Sequence, residues 1–109
     1  MSDSFFTDAE LANLRKISMD EVGELIDEMK TKHSGGADSA EWLVAVHKMF
    51  HTITGSAGVA GLIEISELAA EGESLTDPEA VTPDKDAMTR IHKIIGQIEK
   101  IMSDSSPET

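Results

Sequence analysis

Cysteine is absent from this 109-residue chain, which excludes a disulfide framework and any thiolate metal site. No apolar run approaches the ~18 residues of a membrane span or the hydrophobic stretch of a signal peptide, so a cytoplasmic domain is the expectation. Positive charge is scarce: nine basic residues stand against twenty-one acidic ones, a net charge of -12. That balance disfavours nucleic-acid backbones and anionic membrane surfaces as partners. Strand signals are missing, and so are a glycine-rich phosphate loop and a cluster of carboxylates for Mg2+. The length suffices for one domain with a modest core.

What the chain does have is helical periodicity behind recurrent start signals. Thr7-x-x-Glu10, Ser18-x-x-Glu21 and Asp38-x-x-Glu41 read as capping pairs, and Thr82 followed by Pro83 as a cap with an N1 proline. The first predicted helix is short, 8–17, with Leu11 and Leu14 as its apolar stripe and Phe5 and Phe6 sealing an end. The second, 19–33, carries Val22, Leu25, Ile26 and Met29 and breaks at Ser34-Gly35-Gly36. A third, 39–57, places Leu43, Val46, Phe50, Ile53 and Ala57 in steps of three and four. The fourth, 62–76, repeats that pattern with Leu62, Ile65, Leu68, Ala69 and Leu75 and stops before Asp77-Pro78. The last, 83–102, has a wide stripe from Met88 through Ile91, Ile94, Ile95, Ile98 and Ile101 to Met102. Short connections between amphipathic helices predict an all-α, antiparallel up-and-down four-helix bundle with a short additional N-terminal helix, spanning residues 1–102. Residues 103–109 read as a polar tail or the start of a linker. Trp42 and the methionines fall at core or rim spacing, and Glu64, Glu67 and Glu71 on a solvated face.

The functional signal lies in His51-Thr52-Ile53-Thr54-Gly55-Ser56-Ala57-Gly58-Val59-Ala60-Gly61. A glycine inside a helix costs about 1 kcal/mol relative to alanine, so Gly55 and Gly58 beside one imidazole suggest that bulk is kept away from it. At 100° per residue His51 lies roughly 120° from the centre of its helix's apolar seam, on the solvent flank. Val44, His47, Thr54, Gly55 and Gly58 share its neighbourhood. Of these, Val44, His47, Gly55 and Gly58 form a small-residue patch suited to a partner's helix. Thr52 and Ser56 point elsewhere, and Gly61 opens the turn to the next helix. A neutral imidazole nitrogen is a competent nucleophile near pH 7, since its unperturbed pKa is about 6.5.

Two other readings stand beside that one. His47 and His51 have the i, i+4 spacing of two zinc ligands. However, Lys48 follows His47 where a metalloprotease has glutamate, and a third ligand would come from scattered carboxylates or His92. Alternatively, the bundle is a helical interaction module whose histidine is incidental. Outside that metal reading, His33 and His92 carry no function.

His-x-x-x-Gly-Ser-Ala, Gly61 ten residues beyond the histidine and Glu73 on the following helix together resemble the histidine-containing phosphotransfer (HPt) domain family, over essentially the whole chain. More narrowly, they resemble the first domain of a CheA-type chemotaxis histidine kinase. The resemblance implies a phosphoryl group carried on His51 and an imidazole oriented by Glu73. It implies a phosphotransfer domain with no ATP site of its own. ATP and Mg2+ then belong to partners: a histidine kinase catalytic domain upstream and a CheY-like response regulator receiver domain downstream. A longer parent chain would be a protein histidine kinase. Two positions depart from the family pattern. Thr54 occupies the place of the usual lysine, and Lys48, one turn before His51, is the candidate to supply that charge. Gly72 stands where leucine is commoner, which predicts looser packing there.

Overall fold

The computed structural model describes residues 7–31, 39–79 and 84–105. Four helices form, α1 (Asp8–Thr31), α2 (Ala40–Val59), α3 (Ile63–Leu75) and α4 (Lys85–Ser105), with no strand among the described residues. Each helix packs on the next, and α1 meets α4 to close the ring. Neighbours run antiparallel: Ser18 meets Ser56 while Met29 meets Trp42, and His47 bonds to Thr76 while Thr54 meets Ser66. The all-α four-helix bundle is therefore as expected.

The separate short N-terminal helix is not. α1 runs unbroken for 24 residues, and the predicted 8–17 helix is simply its first turns. Ser18, read as a cap, is a buried interior residue whose hydroxyl lies 3.0 Å from that of Ser56 on α2. Leu11, Leu14, Ser18, Val22, Ile26 and Met29 form one stripe at helical spacing, so continuity keeps all of them inward. The Thr7 signal is a true capping box: the Thr7 amide donates to Glu10 Oε1 at 2.8 Å and the Glu10 amide to Thr7 Oγ1 at 3.1 Å. Ser39 caps α2, its side chain accepting from the Trp42 amide. Asp84 accepts from the Ala87 amide at the start of α4, two residues after the predicted Thr82. α4 also runs past the predicted end at 102, to Ser105. Phe5, Phe6, His33, Asp38, the Ser34-Gly35-Gly36 break, Thr82, Pro83 and residues 106–109 lie outside the described residues.

The core is drawn from every helix: Val22, Ile26 and Met29; Trp42, Val46, Phe50, Ile53 and Ala57; Ile65 and Ala69; Ile91, Ile94, Ile95 and Ile98. Burying the Trp42 ring leaves its indole N–H in need of an acceptor, which the Met29 carbonyl supplies at 2.9 Å. Between α2 and α3 the chain reverses at Gly61, whose φ of +79° is the left-handed conformation that ends many helices. The Leu62 amide there reaches back to the Ala57 carbonyl at 2.8 Å.

Gly72 reverses its expectation. It is buried, and a Cβ there would sit 2.6 Å from Cε2 of the Phe50 ring, so the packing is tight rather than loose. The missing side chain is filled by that ring, which lets the α3 backbone approach α2 closely. The residues that follow Phe50 and Gly72 are His51 and Glu73, so this approach sets the distance between them. Gly72→Ala is expected to destabilise the bundle by roughly 1–3 kcal/mol through overpacking. An unaltered urea midpoint would contradict this account of the seam.

Candidate functional site

His51 emerges from α2 with its side chain 76% exposed, and its Nδ1 lies 2.7 Å from Glu73 Oε2 on α3. A carboxylate only accepts, so Nδ1 carries the proton and donates it. In the neutral ring the lone pair then resides on Nε2, to which no described residue bonds. Glu73 is half-buried, and its carboxylate meets the ring at Nδ1.

The surroundings are open. A Cβ built on Gly55 meets nothing within 4 Å, and one on Gly58 would make ordinary contact with Ser66 Oγ at 3.4 Å. Helix packing therefore gives no reason for glycine at 55 and a mild one at 58. Val44 and Lys48 are exposed on the same helix. Nearby hydroxyls are occupied elsewhere. Thr52 donates to the Lys48 carbonyl, Thr54 to the Phe50 carbonyl at 2.8 Å, and Ser56 pairs with Ser18. Thr54 thus turns back into its own helix and brings no positive charge to the ring.

His47 departs from the predicted exposed patch. It is half-buried, with Nδ1 held 2.9 Å from the Glu73 carbonyl and 3.3 Å from Thr76 Oγ1. Val44, Gly55 and Gly58 remain exposed around His51. Among the described residues no three histidine or carboxylate side chains converge in a metal-binding group. His92 stacks on Trp42 instead, with ring centroids 5.3 Å apart.

One residue of the expected solvated face is more engaged than predicted. Glu71 accepts two 2.6 Å hydrogen bonds from Arg90 on α4, and that bonding holds its carboxyl below the ordinary range. Both side chains are partly exposed, so solvent screens the pair, and it ties α3 to α4 with modest net stabilisation. It faces away from the histidine. No described helix is long and apolar enough to cross a membrane.

No curated protein and no solved structure matches the chain. The family model of the Hpt domain matches residues 13–101, from the second turn of α1 to the last turns of α4. With that much of the bundle matched, the chain belongs to the Hpt domain family, and its function is histidine phosphotransfer in two-component signalling.

Proposed function

We propose that His51 is the phosphoacceptor of this chain. Its Nε2 takes the γ-phosphoryl group of ATP bound by a histidine kinase catalytic domain and hands it to an aspartate of a CheY-like receiver domain. The observation that carries this reading is the 2.7 Å bond from Nδ1 to Glu73 on a ring otherwise open to solvent.

The chemistry follows from the tautomer. The Nε2 lone pair attacks the γ-phosphorus, the Nε2–P bond forms as the bond to the β-phosphate oxygen breaks, and ADP leaves. The ring is left positive, and the Glu73 carboxylate at Nδ1 stabilises that charge. In the second step the receiver's aspartate attacks phosphorus, and the electron pair of the P–N bond returns to Nε2. Phosphoryl transfer through a loose transition state asks mainly for positioning and charge stabilisation. ATP and Mg2+ come with the partner domains, and this chain contributes the nucleophile and its orientation.

Lys48 supplies the positive charge that Thr54 does not. It is exposed about 60° around the helix from His51, and the phosphoryl group arrives on a chain of net charge -12. Lys48→Ala is expected to shorten the half-life of the phosphorylated chain, and an unchanged half-life would remove this role.

Val44, Gly55 and Gly58 give the receiver a flat landing around the ring, with His47 at its edge. Gly55→Leu should therefore slow transfer to the receiver severalfold while leaving the thermal midpoint nearly unmoved, since position 55 faces open space. Loss of folding with an unaltered transfer rate per folded molecule would make the glycine a packing residue instead. The narrower setting we propose is chemotaxis, as the phosphotransfer domain of a CheA-type kinase, in the cytoplasm where such a kinase finds its ATP. Incubation with a histidine kinase and γ-labelled ATP tests the reading. Acid-labile, base-stable label is expected, and no label, or label stable to acid, counts against it.

A further inference from the structure

Glu73 can orient His51 only if its own backbone is held, and it sits in the last turn of α3, two residues before Leu75. Carbonyls of a last helical turn lose their regular amide partners. The Glu73 carbonyl receives the Thr76 amide at 3.3 Å, shared with the Gly72 carbonyl at 3.1 Å, and the Thr76 hydroxyl at 3.2 Å, long bonds that all come from one residue. The last turn of α3 carries no basic side chain of its own. His47 completes it from across the interface, with Nδ1 at 2.9 Å from the Glu73 carbonyl. Thr76 Oγ1 donates to the Gly72 carbonyl at 2.8 Å and turns a lone pair to the same imidazole N–H at 3.3 Å. Because the carbonyl can only accept, His47 is protonated at Nδ1. A donor at the negative end of a helix dipole is also favourably placed.

We infer that His47 is a positioning residue for phosphoryl acceptance. From one turn before His51 it grips the Glu73 backbone, so that the Glu73 carboxylate is presented to His51 Nδ1. Two imidazoles on one helix face thus hold a single residue at both ends: His47 by its carbonyl, His51 by its carboxylate. The inference rests on the roles proposed for His51 and Glu73, and it gives His47 a task different from partner contact or metal ligation.

The ring nitrogens of His51 report the effect directly, through their 15N shifts in the unphosphorylated chain. Wild type is expected to show the Nδ1–H tautomer in the neutral ring. His47→Leu should shift His51 towards the Nε2–H form that free histidine favours, and should slow phosphoryl acceptance about tenfold, the usual scale for loss of an orienting partner. His47→Asn places an amide N–H where Nδ1 was and should restore both readouts. His47→Gln reaches the Nε2 position instead and should restore neither. Adding Glu73→Ala to His47→Leu should slow acceptance no further than Glu73→Ala alone.

An unshifted His51 tautomer in His47→Leu overturns the inference, whatever happens to the rate. Should the leucine variant not fold, equal behaviour of the asparagine and glutamine variants overturns it. The tautomer needs no phosphoryl donor, so a wild-type chain that accepts no phosphoryl group would refute the His51 assignment separately.

Discussion

A His51→Gln chain is expected to take up no phosphoryl group under conditions that label the wild type fully, and to unfold at nearly the wild-type midpoint. Complete loss follows because the amide nitrogen of glutamine, its lone pair delocalised into the carbonyl, cannot attack phosphorus. Stability survives because the side chain is 76% exposed and gives up one contact with Glu73, a loss within about 1 kcal/mol for a surface pair. Residual acid-labile label in the variant would move the phosphoacceptor to another histidine. His47, with Nδ1 bonded to α3, and His92, stacked on Trp42, are the described ones available. A large fall in stability would show that the ring serves the fold, contrary to its exposure.

Glu73 carries the second large effect. Glu73→Ala is expected to slow phosphoryl acceptance on the order of 10–100-fold, as loss of a carboxylate that fixes an imidazole's tautomer and raises its basicity does in other sites. Glu73→Gln separates the two contributions. Its carbonyl oxygen can still accept from Nδ1–H and preserve the tautomer, but it offers no negative charge to the ring that becomes positive on phosphorylation. A rate between wild type and Glu73→Ala is therefore expected. If glutamine matches wild type, orientation alone matters. If alanine matches wild type, the 2.7 Å contact has no part in the chemistry.

The parts of this structure that are local in sequence were legible there. Leu43, Val46, Phe50, Ile53 and Ala57 place their own helix, and the same 100° arithmetic puts His51 on the outside, where it is found. The Thr7–Glu10 box declares itself because both partners lie within one turn. What went astray depends on a second element. Ser18-x-x-Glu21 has the letters of a cap, yet the hydroxyl's partner is Ser56, thirty-eight residues away, and no local pattern encodes that. Gly72 reads as slack until the Phe50 ring is seen to occupy the space. His47 falls on the solvent side of α2 by helical arithmetic, but that arithmetic does not know where the end of α3 lies. A histidine one turn before His51, on the same helix face, is the available signal.

The account depends most on which nitrogen takes the phosphoryl group. Long-range 1H–15N correlation with 31P coupling, recorded on the chain after labelling by a kinase and ATP, reads this directly. Phosphorus on Nε2 of His51, with Nδ1 still protonated and hydrogen-bonded, is the predicted spectrum. Phosphorus on Nδ1, or on any side chain other than His51, would contradict it.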